Sequence, residues 1–154
     1  MHTPALRPAL VLLPLRLVVG FGFAAHGLAK LQRGPEGFAV ILTALGVPAP
    51  HLMAWATTGV ELLGGIALLV GWMVPLVAAP LAGVILTALV TVHLPYGYSS
   101  IRLLSITPEG ATFGPVGVEL PLLYLVALVV LALGGASAWS VDGWREAREG
   151  RAER

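Results

Sequence analysis

Four long apolar stretches dominate this sequence, and they restrict it to folds that hold most of the chain in a membrane. They cover about residues 9–29, 51–70, 74–94 and 117–136. A helix needs about 20 mostly apolar residues to cross a hydrocarbon core roughly 30 Å thick. The sequence therefore predicts an all-α membrane protein with four transmembrane helices in an antiparallel bundle.

The distribution of charge supports this assignment. The 9 basic and 8 acidic residues make 17 of 154, or 11%, whereas a soluble domain has about 25%. Eight of the 17 lie between Asp142 and Arg154. We therefore divide the chain into a four-span membrane domain, residues 1–140, and a charged tail, residues 141–154, which is expected to form a short solvated helix or a disordered end. A net charge of +1 without a basic patch argues against nucleic acid as a partner.

The connections between the stretches differ in length. Gly71 and Trp72 leave only a tight turn between the second and third, which predicts an antiparallel hairpin of helices. Residues 31–50 include a short apolar run that fits an interfacial or half-buried helix. Residues 95–116 are rich in Pro, Gly, Ser and Thr and are expected to form an irregular loop.

Basic residues near the ends of the stretches predict the orientation, because loops rich in Lys and Arg stay in the cytoplasm. The first stretch resembles a secretory signal in outline, but Arg16 interrupts its apolar run, so we expect it to be retained. With four crossings, both termini are predicted to be cytoplasmic. The termini carry Arg7, Arg145, Arg148, Arg151 and Arg154, against Lys30, Arg33 and Arg102 on the other side.

Ionisable residues within the stretches are the functional candidates, since a charge at mid-bilayer costs about 2.5 to 3.5 kcal/mol on insertion scales. From the helical rise, Arg16 is predicted to lie about one turn from Glu61, close enough to pair with it. Thr57 and Thr58, one turn before Glu61, extend the polar face or bond their own backbone. The full set is Arg16, His26, Lys30, Glu61, His93 and Glu119.

Most of these candidates also have a structural explanation. A pair between Arg16 and Glu61 would fix the packing of two helices, and Lys30 can extend to the lipid headgroups. His93 lies at a span boundary, and Glu119 opens a helix, where the helix dipole favours a carboxylate. His26, His93 and Glu119 have the chemistry of zinc or iron ligands, but they lack a paired motif, so we expect no metal site. No feature favours a bis-histidine haem.

The order of these residues resembles the DoxX family of small bacterial membrane proteins. The resemblance covers about residues 15–142 and rests on Arg16, the HGLAK block from His26 to Lys30, the GVP block at Gly46, the ELLGG block from Glu61 to Gly65, His93, Glu119 and the closing SVD block at Ser140. It implies a four-helix protein of the bacterial inner membrane. It also implies an association with respiratory or thiosulfate oxidation at the quinone pool, or with oxidative-stress complexes.

Together these inferences predict a subunit of a quinone-linked redox complex, with an intramembrane cluster that binds a quinone or relays protons. The catalytic candidates are His26, Glu61, His93 and Glu119, and the ligand-binding candidates are Arg16, Lys30 and Thr57. The chain has no cysteine, so electrons would come from a partner subunit. The alternative is a non-catalytic membrane scaffold or a small-solute carrier. The expected partners are the lipid bilayer, a redox subunit and, as an open alternative, a second copy of the chain.

Overall fold

The computed structural model describes residues 8–134 and 139–152 and is mostly helical. Arg7, Arg154 and the last two positions of the predicted fourth span, 135 and 136, lie outside these ranges. The helices are α1 (Pro8–Arg33), α2 (Pro35–Ala44), α3 (Pro50–Val70), α4 (Val74–Ala88), α5 (Glu119–Leu133) and α6 (Val141–Ala152). A π-helical turn (Leu89–His93) and a 3₁₀ turn (Leu94–Tyr96) extend α4.

Three helical segments in the described residues are long and apolar enough to cross a membrane. They are Leu10–Arg33, Pro50–Val70 and Val74–Tyr96, which lie on three of the four predicted spans. The fourth predicted span contains α5, an apolar helix of 15 residues. The segment 31–50 contains α2 as expected, and the tail forms the helix α6 rather than a disordered end over its described part.

Small residues bring α1 and α3 into direct backbone contact. A Cβ placed on Gly65 would lie 2.3 Å from the Ala24 backbone nitrogen, and one on Gly27 would lie 2.4 Å from the Leu62 nitrogen. One on Gly20 would lie 2.9 Å from the Leu69 nitrogen. Each pair of residue numbers adds to 89, so the two helices run antiparallel in a register set by these glycines. Small residues allow this close approach in membranes, where water does not drive helices together.

The hydrophobic core lies where α4 and α5 close against α1 and α3. Phe23 from α1 meets Tyr124 of α5 edge to face, with ring centroids 5.5 Å apart. The fully buried side chains come from four helices and include Phe23, Leu68, Leu81, Leu128 and Leu131. Most other large apolar side chains on these helices are exposed on the outside of the bundle, as expected for a surface that faces lipid.

The prediction of an irregular loop over residues 95–116 is wrong in its central part. Leu103–Thr107 (β1) and Gly110–Phe113 (β2) form an antiparallel hairpin, turned at Pro108 and Glu109. Every residue of both strands is exposed, so the hairpin has no buried face. Leu104 to Thr107 alternate between apolar and polar residues, but this run is at the lower length limit of a strand signal. The Pro-Glu-Gly sequence before β2 was the available signal of a turn.

Candidate functional site

A cavity of about 450 Å³ opens between α2 and α4, with α3 behind it. Helix α2 packs on α1 and α3, whereas α4 packs on α3 and α5, so α2 and α4 stand on opposite sides of the opening. The walls are mainly aliphatic. They include Ile41 and Leu42 from α2, Val60 from α3, and Val84 and Ile85 from α4. An apolar cleft of this size with a few polar groups is the usual form of a small-molecule site.

The ion pair of Lys30 and Glu61 forms the charged part of the wall. The Lys30 ammonium donates to a Glu61 carboxylate oxygen at 2.5 Å, and the two side chains are 22% and 7% exposed. The same ammonium lies 4.5 Å from the centre of the Phe38 ring in α2. One cation therefore joins α1, α2 and α3 at the cavity. A charge pair in such an apolar setting is costly unless both charges are compensated.

Hydroxyl groups add polarity to two walls. Thr57, a predicted ligand-binding residue, lines the cavity one turn before Glu61, together with Thr87 and Thr91 from the opposite side. Thr87 donates to the Gly83 carbonyl and Thr91 to the Thr87 carbonyl, so both hydroxyls bond their own helix. Thr58, the other threonine considered, is buried and donates to the Ala54 carbonyl. The three hydroxyls that line the cavity keep lone pairs that can accept a hydrogen bond from a ligand.

The predicted pair between Arg16 and Glu61 is wrong. Arg16 is buried at the other end of α3, where its Nη1 would lie 2.6 Å from a Cβ placed on Gly71. Its Nη2 donates to the Trp139 carbonyl at 2.8 Å. Glu61 is ten residues from Gly71, about 15 Å along the helix. The prediction aligned the ends of the apolar stretches, whereas contacts between glycines set the register of α1 on α3.

Arg16 belongs instead to a junction that closes the end of the bundle opposite the cavity. The Asp142 carboxylate accepts hydrogen bonds from the backbone nitrogens of Met73 and Val74, at 3.0 and 3.2 Å, and so caps the start of α4. The Asp142 nitrogen donates to the Gly71 carbonyl at 3.0 Å. Ser140 is buried beside Gly71. The SVD block and Arg16 therefore hold helix ends together and do not line the cavity.

The remaining catalytic candidates lie away from the cavity lining. His26 is exposed on the surface of α1. His93 donates through Nδ1 to the Val116 carbonyl at 2.8 Å, and Glu119 accepts from the Ser100 nitrogen at 3.0 Å. His93 and Glu119 thus anchor the segment between α4 and α5. Over the described residues, no group of three or more His, Asp or Glu side chains lies close enough together to hold a metal ion.

Sequence reasoning missed the part of the site that α2 provides. Phe38, Ile41 and Leu42 line the cavity from a helix that the sequence predicts only to be interfacial or half-buried. Gly83 lines it from α4, and a Cβ built there would meet nothing within 4 Å. The apolar run in α2 was the available signal. Nothing in the sequence showed that this run would fold back over Lys30.

The sequence model of the DoxX family matches residues 11–94, which is more than half of the chain. The chain belongs to the DoxX family. The matched segment of this DoxX protein contains α1 from residue 11 onward, α2, α3 and α4, and every residue that lines the cavity. The hairpin, α5 and α6 lie beyond it.

One curated relative carries a functional name. A Bacillus subtilis (strain 168) protein named "Putative oxidoreductase CatD" is 34% identical over 80 residues, which is 52% of this chain. The aligned region spans 58% of the relative's own length, less than two thirds. No solved structure matches the chain.

Proposed function

We propose that this DoxX protein is an integral membrane subunit of a quinone-linked respiratory or redox complex, and that it binds a quinone-like molecule in the cavity between α2 and α4. The observation that carries the proposal is the ion pair of Lys30 and Glu61 in the wall of an otherwise aliphatic cleft. A quinone has matching parts, since its ring and tail are apolar and its oxygens accept hydrogen bonds and protons. The oxidoreductase name of the Bacillus relative is consistent with this role.

The proposed chemistry assigns a different task to each member of the ion pair. Reduction of a quinone to a quinol takes two electrons and two protons. Lys30 donates a hydrogen bond to a quinone oxygen, and Glu61 exchanges protons at the same position, because a general acid must lie within hydrogen-bond reach of the group it protonates. The chain has no cysteine for a thiol relay, so we assign the electrons to a partner subunit that carries its own redox centre.

The position of the cavity supports entry from within the membrane. Its opening lies between two helices whose outer surfaces are apolar, so a lipid-soluble molecule can reach it sideways without crossing water. Phe38 and Thr57 then flank the charged end of the cleft, and the aliphatic side chains hold the rest of the ligand. His26, His93 and Glu119 take no direct part in this scheme.

The membrane arrangement we propose has four spans, of which α5 is the fourth. Helix α2 does not cross the membrane and lies at its outer face. The 15 residues of α5 give a helix of about 22 Å, which is about 8 Å shorter than the usual hydrocarbon thickness, so the residues that flank α5 complete the span. Both termini then lie in the cytoplasm and the protein resides in the bacterial inner membrane. The basic residues counted at each end of the spans support this orientation.

The second candidate is a non-catalytic scaffold or small-solute carrier. It is favoured by the engagement of His93 and Glu119 in hydrogen bonds to the segment between α4 and α5, which removes two of the four catalytic candidates from the cavity. In that case the ion pair stabilises the bundle, and the cavity holds lipid or a small solute. Substitution of Lys30 or Glu61 would then cause the protein to lose a partner without any effect on quinone binding.

The test is quinone binding by the purified full-length protein in lipid nanodiscs, measured by native mass spectrometry and by titration with decylubiquinone. We expect Lys30→Met and Glu61→Leu to weaken binding by about tenfold or more each. The matched control is Glu109→Gln, a change of an exposed carboxylate at the distant hairpin. Absence of quinone binding by the unmodified protein, or equal binding by all four proteins, would favour the scaffold.

A further inference from the structure

The start of α6 lies at a level that the fold places at a membrane surface. The two candidate spans formed by α3 and α4 are joined by only three residues, Gly71–Met73, so this turn marks where the chain leaves and re-enters the bilayer. Three hydrogen bonds join Asp142 to the turn and to Val74. The first turn of α6 is therefore held at the edge of the bilayer.

Four charged residues of α6 fall in two adjoining sectors of the helix, Arg145 and Arg148 in one and Asp142 and Glu149 in the other. Its three Arg and three Asp or Glu residues give it no net charge. With a rotation of 100° per residue, however, one set of four positions falls within an arc of about 100° on the helix circumference. Asp142 and Glu149 lie together, roughly 100° from the centre of that arc. The first set, called the basic–aromatic face, comprises Val141, Trp144, Arg145 and Arg148.

Side-chain contacts and exposure show that this face is open. The Arg148 guanidinium lies 4.2 Å from the centre of the Trp144 ring, and Trp144 is 58% exposed. Asp142, on the other face, is engaged by the start of α4. Trp72 and Trp139 are also exposed at this end of the bundle, so it carries three of the chain's four tryptophans. Tryptophan is enriched where a membrane meets water.

We propose that the basic–aromatic face of α6 docks on an anionic lipid surface, with Trp144 inserted among the headgroups and Arg145 and Arg148 paired with lipid phosphates. A bilayer fits this face better than a protein partner does, because Asp142 fixes the helix beside the turn that marks the membrane edge. Basic residues near the membrane attract anionic lipids, and tryptophan prefers the same depth. This proposal is independent of what occupies the cavity.

The test uses the full-length protein with Trp55, Trp72 and Trp139 replaced by Phe, so that Trp144 is the single fluorophore. The protein is reconstituted in vesicles of phosphatidylcholine, or of the same lipid with a third replaced by phosphatidylglycerol. Lipids brominated near the headgroup then report the depth of the ring. We expect stronger quenching of Trp144 in the anionic vesicles and a return toward the neutral-lipid value at high salt.

Variants on the two faces separate docking from a general loss of order. Arg145→Gln with Arg148→Gln should shift the docked fraction toward solution by about fivefold for each arginine removed. Glu149→Gln, the matched control on the acidic face, should leave quenching equal or increase it. Equal quenching of Trp144 in neutral and anionic vesicles, or docking that survives loss of both arginines, would overturn the proposal. The salt response of the parent protein tests it without any change to α6.

Discussion

The Lys30 ammonium meets the Glu61 carboxylate in the wall of a mostly aliphatic cavity, across the contact between α1 and α3. Removing one partner leaves the other charge uncompensated in a site largely closed to water. We expect Lys30→Met and Glu61→Leu each to lower the free energy of unfolding by about 3 kcal/mol. The double variant should lose clearly less than the sum, because neither charge then remains.

Denaturation of the four proteins in mixed detergent micelles, followed by circular dichroism, gives the coupling energy directly. Strictly additive losses would mean that the two side chains do not stabilise each other, and would argue against the ion pair.

The register of α1 on α3 depends on Gly65. A Cβ at this position would lie 2.3 Å from the Ala24 nitrogen and 2.7 Å from the Gly20 carbonyl oxygen, both backbone atoms that cannot turn aside. We expect Gly65→Ala to destabilise the protein by about 2 kcal/mol, as overpacking does in other cores. Gly59→Ala is the control in the same helix, where a Cβ meets nothing within 4 Å.

Thermal unfolding in detergent compares the two alanine variants. The control should match the parent protein or exceed its stability slightly, since alanine favours a helix over glycine by up to about 1 kcal/mol. Similar melting temperatures for both variants would contradict the close packing of α1 on α3.

The same glycines explain what the sequence could and could not predict. The apolar stretches were sufficient to locate α1, α3 and α4, because hydrophobic length alone determines a span. They also identified Lys30, Glu61 and Thr57, since polar residues are rare in such stretches. Pairing was different. To predict which residues pair, the depth of each residue in the membrane must be known. Aligning the ends of the apolar stretches placed Arg16 near Glu61, whereas the contacts in the structure place Arg16 beside Gly71.

The cavity itself could not be predicted, because it depends on where α2 folds. Nothing in its ten residues specifies which helices it packs against, and its contact with Lys30 through Phe38 joins residues on separate helices. The hairpin was missed for a different reason. Its strands bury neither face, and the alternation from Leu104 to Thr107 is short and lies in a segment rich in Pro, Gly, Ser and Thr.

Asp142 caps α4 from a position 68 residues later in the chain. Replacing it with alanine removes the acceptor for the Met73 and Val74 amides, and loss of a cap typically costs about 1 kcal/mol. We expect Asp142→Ala to speed hydrogen exchange at these two amides and to release α6 from the bundle. Glu149→Ala, an exposed carboxylate in the same helix, should change neither property. Unchanged protection at Met73 and Val74 would show that the cap contributes nothing.

The N-terminal end of α2 is joined to α3 by a pH-dependent contact. Glu36 accepts hydrogen bonds from His51 Nδ1 at 2.5 Å and from Trp55 Nε1 at 3.0 Å. The bond from His51, followed by that from Trp55, holds the pKa of Glu36 below its ordinary value of 4.5. Because the folded-state pKa is depressed, the contact stabilises the protein above pH 4.5 and is lost as the pH falls through the lower folded-state pKa.

Fluorescence of Trp55 measures this transition when the other three tryptophans are replaced by Phe. Acidification from neutral pH should change the emission with a midpoint below 4.5, and Glu36→Gln should abolish that step while leaving the emission constant. A midpoint at or above 4.5, or the same transition in the glutamine variant, would contradict the contact.

Gly83 offers a way to close the cavity without disturbing the bundle. It lines the α4 side of the cleft, it is exposed, and a Cβ there would meet nothing within 4 Å, so Gly83→Leu places its side chain in open space beside the ligand. We expect quinone affinity to fall by about tenfold, because the leucine occupies volume that the ring or tail would fill.

The melting temperature of the Gly83→Leu variant should not decrease, since no existing contact is displaced. Gly59→Leu on α3 is the matched control, because a Cβ there also meets nothing within 4 Å but the position does not line the cleft. Titration of both variants with decylubiquinone in nanodiscs makes the comparison. Equal affinity of the two leucine variants and the parent protein would show that the ligand does not use the opening between α2 and α4, even if quinone binds elsewhere on the protein.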